Sequence, residues 1–436
     1  MAGREIEASY RLVENDFGRI DGVLRRDPSS PSRVVLLETH PRAASAGNLN
    51  AWPCLDLPAR GIDTFAYNNR YSNSTAGTEL VTVWEPFALD VAAAVQAMRE
   101  LGYERVILYG HSAGGPLVSY YQNLAEHGSA VFRAGKTLSG FTGFTGSTGF
   151  TGAGGGELRL PAADGVILQN GTAGTGSSFL ARLDAAILDE DSPVRETSLD
   201  LFDPRNGYDP GSGSATYDQA FLAAYFVGQT ARMRRLVDQV RARAAEVAAG
   251  RGRLADDGVV VIGNIRAEPA SVDLALAATS AGTWEVLPHG RQTARSNRLV
   301  VPGYAGRNAR LDDGGTAHTY RSFLSYRAIL DVAGTYDPDA TDVAGCGLDL
   351  ASTNASTPGN LAGVSVPLLI TVGTADTQVH IPYGELAYAS AAACADRSLV
   401  FIDGAEHDMR PISPAFGDTR AMHLDLLVDW LTSRYL

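Results

Sequence analysis

Val106-Ile-Leu-Tyr-Gly-His-Ser-Ala-Gly-Gly115 is the stretch whose reading decides the fold. Arg105 to Tyr109 is a short apolar run of the kind that forms a strand buried on both faces. Pro116-Leu-Val-Ser-Tyr-Tyr121 opens a helix, with proline in its first turn. Between them, Gly110-His-Ser-Ala-Gly114 has the spacing G-x-S-x-G. A strand that turns this sharply into a helix forces the central serine into a strained conformation and projects its Oγ over the sheet edge. Side chains two positions away on either side would clash, which explains Gly110 and Gly114. Ser112 is therefore the candidate nucleophile. The bland alternative is a glycine-rich turn holding an idle serine.

Outward from this turn the chain alternates strands and helices. Arg33–Thr39, Asp63–Tyr67, Asp164–Leu168, Pro367–Val372 and Ser398–Ile402 read as further buried strands. Phe87, Val91, Val95 and Met98 repeat at helical spacing between Pro86 and Gly102. Arg420 to Leu436 is amphipathic as well. Such alternation implies an α/β sheet with right-handed crossovers. Ile6–Val13 and Arg19–Arg25 read as an antiparallel start. The pattern changes after Gln169 and resumes at Val364. Within that interval Tyr217–Ala249 reads as one long helix or a helical pair. Asp257–Ile262 and Thr283–Leu287 read as extra strands, and Arg321–Val332 as a helix. The economical division is a core in two parts, residues 1–170 and 364–436, with a large, mixed, mainly helical cap at 171–363. The glycine-rich run Gly171–Ser177 would be its entry.

A serine needs a base, and the base needs a carboxylate. Of eight histidines, His407 in Phe401-Ile-Asp-Gly-Ala-Glu-His407 follows the last strand, where a loop can carry its imidazole to the sheet edge. His289, His318 and His423 read as surface residues. His111 is fixed beside the serine by the turn and points elsewhere. Asp376, in Thr371-Val-Gly-Thr-Ala-Asp376, lies just past the preceding strand. The other strand end that such an acid could occupy holds Asn170, which carries no charge. Glu385, Asp403 and Asp408 are the fallback carboxylates.

The order Ser112, Asp376, His407, together with the Gly-Ala-Glu-His turn, resembles the α/β-hydrolase superfamily. The resemblance covers the two core parts and implies an esterase-like serine hydrolase with a mostly parallel, doubly wound sheet. It also implies an oxyanion hole of two backbone N–H groups. One belongs to Ala113. The other follows the third strand, in Glu38-Thr-His-Pro-Arg42; Pro41 has no N–H, so His40 is preferred and Arg42 second. The expected reaction is cleavage of a carboxylic ester or lactone of a small to medium organic molecule through an acyl-enzyme. The same machinery also serves amides, thioesters and carbon–carbon bonds, and some proteins of this fold bind ligands without turnover. Tyr217, Phe221, Tyr225, Phe226, Tyr320, Phe323 and Tyr326 either line the cap's pocket or form the cap's own core.

The chain has 436 residues, 45% apolar and 19% charged, with a net charge of −13. That balance disfavours polyphosphates and anionic surfaces, so neither nucleic acid nor membrane is an expected partner. The start of the chain lacks the apolar core of a secretory peptide, and no run approaches the ~20 apolar residues of a membrane helix. A cytoplasmic location follows as the expectation. Cys54, Cys346 and Cys394 are too scattered for a disulfide framework or a zinc site. No cofactor or metal is expected. Gly135-Lys-Thr137 lacks the upstream glycine of a phosphate loop, and Asp337-Pro-Asp339 lacks the later ligands of a calcium loop. The tripeptide repeat Phe141 to Gly152 reads as a surface loop or, through Phe141, Phe144 and Phe150, as a contact in a homo-oligomer.

Overall fold

The structure is a computed structural model. It describes residues 5–41, 52–72, 82–128, 159–192, 194–251, 257–265, 268–277, 283–287, 293–296, 314–327 and 356–436. Arg42, the Phe141–Gly152 repeat, Gly135–Thr137, His289, Asp337–Asp339 and Cys346 lie outside the described residues.

Eight strands build the core. They are β1 (Glu7–Asn15), β2 (Gly18–Arg26), β3 (Val34–Glu38), β4 (Asp63–Asn68), β5 (Arg105–His111), β6 (Gly165–Gln169), β7 (Leu368–Gly373) and β8 (Arg397–Ile402). Their order across the sheet is β1-β2-β4-β3-β5-β6-β7-β8. β1 pairs antiparallel with β2, and β2 antiparallel with β4; every later pair in that order is parallel. The antiparallel start and the parallel body are those expected from the sequence, in a mostly parallel sheet covered on both faces.

Side-chain alternation along the strands explains why both faces are covered. Val35, Leu37, Val106, Leu108, Val166, Leu168, Leu368 and Ile370 pack on one face beneath α1 (Phe87–Glu100) and α2 (Gly114–His127). Val34, Leu36, Ile107, Tyr109, Ile167, Leu369 and Val400 pack on the other with Leu427, Trp430 and Leu431. Those three belong to the C-terminal helix Thr419–Tyr435. A period of two thus feeds two apolar layers, so the strands read as continuous apolar runs.

Between β6 and β7 the long segment is one 30-residue helix, α3 (Gln219–Ala248), begun by Asp218, whose carboxylate accepts from the Phe221 N–H at 2.7 Å. Tyr217, Phe221, Tyr225, Phe226, Tyr320 and Phe323 are buried together with Phe179, Val260 and Ile262. These aromatics form the insertion's own core; of Tyr326 only the backbone is described. Arg232 is fully buried in this core. Its guanidinium donates to both Glu190 oxygens at 2.7 Å and to the carbonyls of Asp184, Gly263 and Asn264.

Two details of the insertion differ from the sequence reading. Arg321–Val332 is not a regular helix where it is described. A single turn at Tyr320–Ser322 passes into a π-helical turn at Phe323–Arg327. Thr283–Leu287 is a strand, but it pairs parallel with β8 and carries Thr293–Ser296 on its outer edge. The insertion therefore lengthens the main sheet as well as forming a separate layer. A strand needs only a free backbone edge to join, and nothing local in the sequence announces which edge it will find. No described helix is long and apolar enough to cross a membrane.

Candidate active site

The turn after β5 has the geometry that its glycines require. Ser112 adopts φ 54°, a left-handed conformation that a non-glycine residue rarely takes. Its N–H donates to Gln169 O at 3.0 Å, and its carbonyl accepts from Gly115 and Thr172, each at 3.1 Å. The strain is thus held by hydrogen bonds to β6, to the loop beyond it and to the start of α2. A Cβ on Gly110 would lie 2.5 Å from Gly114 O, and one on Gly114 would lie 2.5 Å from Thr39 O. Both are impossible contacts, so the two glycines are fixed by close packing of backbone on backbone.

That second contact brings the turn after β3 against the start of α2. His40 is buried there, and its carbonyl accepts from Asn69 Nδ2 at 2.7 Å. Ala113 is the residue preceding the first turn of α2, where backbone N–H groups and the helix dipole favour negative charge.

At the ends of β7 and β8 the two loops meet. His407 Nδ1 and Asp376 Oδ2 are 2.6 Å apart. Asp376 Oδ1 accepts from the backbone N–H groups of Gln378 at 2.7 Å and Val379 at 3.0 Å, so the carboxylate is held from both sides. Both residues are buried. Burial alone would lower the imidazole's pKa; the Asp376 charge and hydrogen bond, helped by Asp408 and Glu406, outweigh it and hold His407 above its ordinary value. Among the fallback carboxylates, Asp403 accepts from Thr374 Oγ1 at 3.2 Å. The acid bonded to His407 is Asp376.

The histidine preceding the serine does not point away. His111 is fully buried, and its ring centroid lies 4.5 Å from that of His407. Its Nε2 is 3.0 Å from His407 O, so Nε2 carries the proton and donates. Burial, aided by the charges of His407 and His40, pushes His111 well below the ordinary histidine range. It is a neutral spacer between the serine turn and the His407 loop. Within the described residues no hydrogen bond joins Ser112 Oγ to His407; such bonds commonly tighten only when substrate binds.

His423 and His318 are also corrected: both are fully buried rather than on the surface. His423 Nε2 lies 3.1 Å from Thr371 Oγ1, and burial pushes its pKa down to about 3. His318 bridges Thr316 and Ser322. The sequence reading missed a further pair. His380 Nε2 is 2.7 Å from Glu268 Oε1, whose other oxygen accepts from Tyr383 at 2.9 Å. No spacing in the sequence links Glu268 to His380.

No family model matches the sequence, and no curated protein matches it. Among solved structures the chain is similar to the esterase domain of a Rhodothermus marinus protein. That match has 13% identity and a TM-score of 0.41, over 98% of this chain and 98% of that one. It is similar to the monoacylglycerol lipase of Paleococcus ferrophilus at 12% identity and a TM-score of 0.40, over 98% and 99%. A soluble variant of the monoglyceride lipase of Saccharomyces cerevisiae, with a substrate analogue, gives 12% and 0.44, over 99% and 97%. Likenesses this distant decide nothing about a substrate. The assignment of the fold rests on the strand order and the serine turn of this chain.

Proposed function

We propose that this α/β-hydrolase fold carries a serine hydrolase that cleaves a carboxylic ester or lactone of a small to medium organic molecule. The observation that carries the reading is the 2.6 Å contact between His407 Nδ1 and Asp376, on a ring whose centroid lies 4.5 Å from that of His111, the residue preceding Ser112. Ser112 is the nucleophile, His407 the general base and Asp376 its orienting carboxylate.

The chemistry follows from which ring nitrogen is taken. Asp376 fixes the proton on His407 Nδ1 and leaves Nε2 with its lone pair, the form needed to accept the serine proton. Ser112 Oγ attacks the carbonyl carbon as Nε2 takes that proton. The resulting oxyanion is met by the N–H groups of Ala113 and His40. The imidazolium then protonates the leaving alkoxide as the C–O bond breaks. Water, deprotonated by the same nitrogen, hydrolyses the acyl-enzyme and restores Ser112. Each oxyanion donor is worth about 3–4 kcal/mol of barrier in such sites. The segment between β6 and β7 is the part of the chain proposed to select the substrate.

Intact-mass analysis after exposure to a fluorophosphonate, with peptide mapping, is the direct test. Labelling at Ser112 that is lost in His407→Ala is the expected result, and a screen of esters and lactones follows from it. A folded protein that takes no label, or takes it elsewhere, overturns the assignment. A Ser112→Ala variant that still binds a ligand while wild type never turns it over would mark a receptor.

A further inference from the structure

We infer that Asn170 is a positioning residue for the base: its side-chain amide ties the backbone of His407 to the end of the strand leading to Asp376. The inference rests on the proposed roles of Ser112, His407 and Asp376.

Asn170 stands just past the end of β6, fully buried, at φ 45°. Its N–H donates to Thr371 O at 2.8 Å, which registers it against β7. Its side chain then spans two loops. Oδ1 accepts from the N–H of Gly373 at 2.8 Å, and Nδ2 donates to His407 O at 2.8 Å and, at 3.4 Å, to Glu406 O. This pattern fixes which end of the amide is oxygen. Gly373 closes β7, and Asp376 N–H donates back to its carbonyl at 3.2 Å. A Cβ on Gly373 would lie 2.3 Å from Ala405 O, so the acid strand and the base loop touch backbone to backbone here. The Asn170 amide bridges that seam.

The donors converge on one atom. His407 O receives Asn170 Nδ2 at 2.8 Å, His111 Nε2 at 3.0 Å and Gln169 Nε2 at 3.5 Å. Gln169 is itself oriented by a hydrogen bond from the Tyr109 hydroxyl to its Oε1. Side chains from the ends of β5 and β6 therefore hold the main chain of the base, while Asp376 holds its ring. The imidazole pivots from an anchored backbone as its charge comes and goes. Displacement of a catalytic group by about 1 Å costs on the order of 100-fold in rate.

The chemistry requires an amide here. An aspartate at 170 would keep the shape and tolerate the left-handed backbone. It would also turn an acceptor toward the carbonyls of His407 and Glu406, where a donor now stands.

The test compares wild type with Asn170→Asp, Asn170→Gly and Ser112→Ala in the full-length chain. Glycine accepts the left-handed backbone without adding a charge. The reaction is phosphonylation by a fluorophosphonate: the Ser112 Oγ–P bond forms, the P–F bond breaks, fluoride leaves and His407 takes the serine proton. The maximal rate of labelling in Asn170→Asp should fall on the order of 100-fold, with half-saturation by the probe essentially unchanged. Its pH limb should move upward, because a carboxylate at 170 would join Asp376, Glu406 and Asp408 around His407, against neutral His111. Asn170→Gly should lose rate without that upward shift. The far-downfield proton resonance of the His407 Nδ1–H should move or broaden in both.

Wild-type rate and limb in both variants, even with a lowered melting temperature, would leave Asn170 merely structural and overturn the inference. If Asn170→Asp does not fold, Asn170→Gly decides by rate and resonance. Labelling of Ser112→Ala at the wild-type rate would overturn the proposed hydrolase and the inference with it. An unreactive Ser112→Ala beside unaffected Asn170 variants would overturn the inference alone.

Discussion

His407 and His380 are both buried beside a carboxylate, yet they sit in different settings. His407 lies on the loop after β8 and gives Asp376 its Nδ1. Its ring lies tilted against that of His111, the residue before Ser112. His380 immediately precedes helix Ile381–Ser390 and gives Glu268 its Nε2. The Ser271 hydroxyl stands 3.4 Å from that same nitrogen, and Nδ1 is buried with no hydrogen-bond partner among the described residues. A relay needs the acid on one ring nitrogen and the hydroxyl on the other. Here both compete for one. Glu268 lies in the insertion and Tyr383 in the core, so this second pair fastens two parts of the chain. Composition alone would call both sets Ser-His-acid; the choice of nitrogen separates the proposed catalytic set from the other.

Substitutions should break this comparison in one direction. His407→Ala and Ser112→Ala should each lower kcat by about a million-fold, read on an ester found in the screen, with the fold retained by circular dichroism. His380→Ala should leave kcat within a small factor of wild type. A loss at His380 as deep as that at His407, in a correctly folded variant, would undo the distinction.

The acids sharpen it. Asp376→Asn leaves an acceptor but no charge and permits the wrong tautomer, so kcat should fall about ten-thousand-fold. Near-full activity in that variant would move the acid's role elsewhere. Glu268→Gln should instead keep kcat and cost on the order of 3 kcal/mol in denaturant unfolding, because it unpairs a buried site.

The two pairs should also part company with pH. His407 is held above its ordinary 6.5. Activity needs it neutral, so kcat/KM should rise with pH through that raised value. Its contribution to stability runs the other way: present in full below 6.5, lost as pH rises through the folded value. Burial alone would raise the Glu268 pKa, but His380, Arg182 and the hydrogen bonds hold it below its ordinary 4.5. That stability is present above 4.5 and lost as pH falls through the lowered value. His423, pushed down to about 3, acts in acid too, withdrawing stability as pH falls below 6.5. Melting scans of Glu268→Gln should therefore differ from wild type near neutrality and converge in acid. A constant difference across that range would assign the cost to packing.

The smallest effect is expected at the sheet's added edge. Alanine substitutions along Thr283–Leu287 should change melting modestly and leave labelling of Ser112 unaltered. Loss of labelling there would tie the added strand to the site.

How much of this was legible follows from how far apart the interacting groups lie. Local steric rules fixed the serine turn: only glycine fits at Gly110 and Gly114, and that demand is written in five consecutive residues. Apolar runs of strand length fixed the parallel core, because a strand covered on both faces has no polar positions to spare. The order of Ser112, Asp376 and His407 followed from which loops end at one sheet edge. The burial of His318 and His423, the contact of His111 with His407 and the Glu268–His380 pair were not legible. Each depends on a partner or a packing layer that chain folding supplies, and a histidine's sequence neighbours say nothing about it. Asn170 shows the boundary most clearly. The sequence established that it carries no charge. Only the tertiary structure, by bringing Gly373 and His407 within 2.8 Å of its amide, decided what that neutral side chain does.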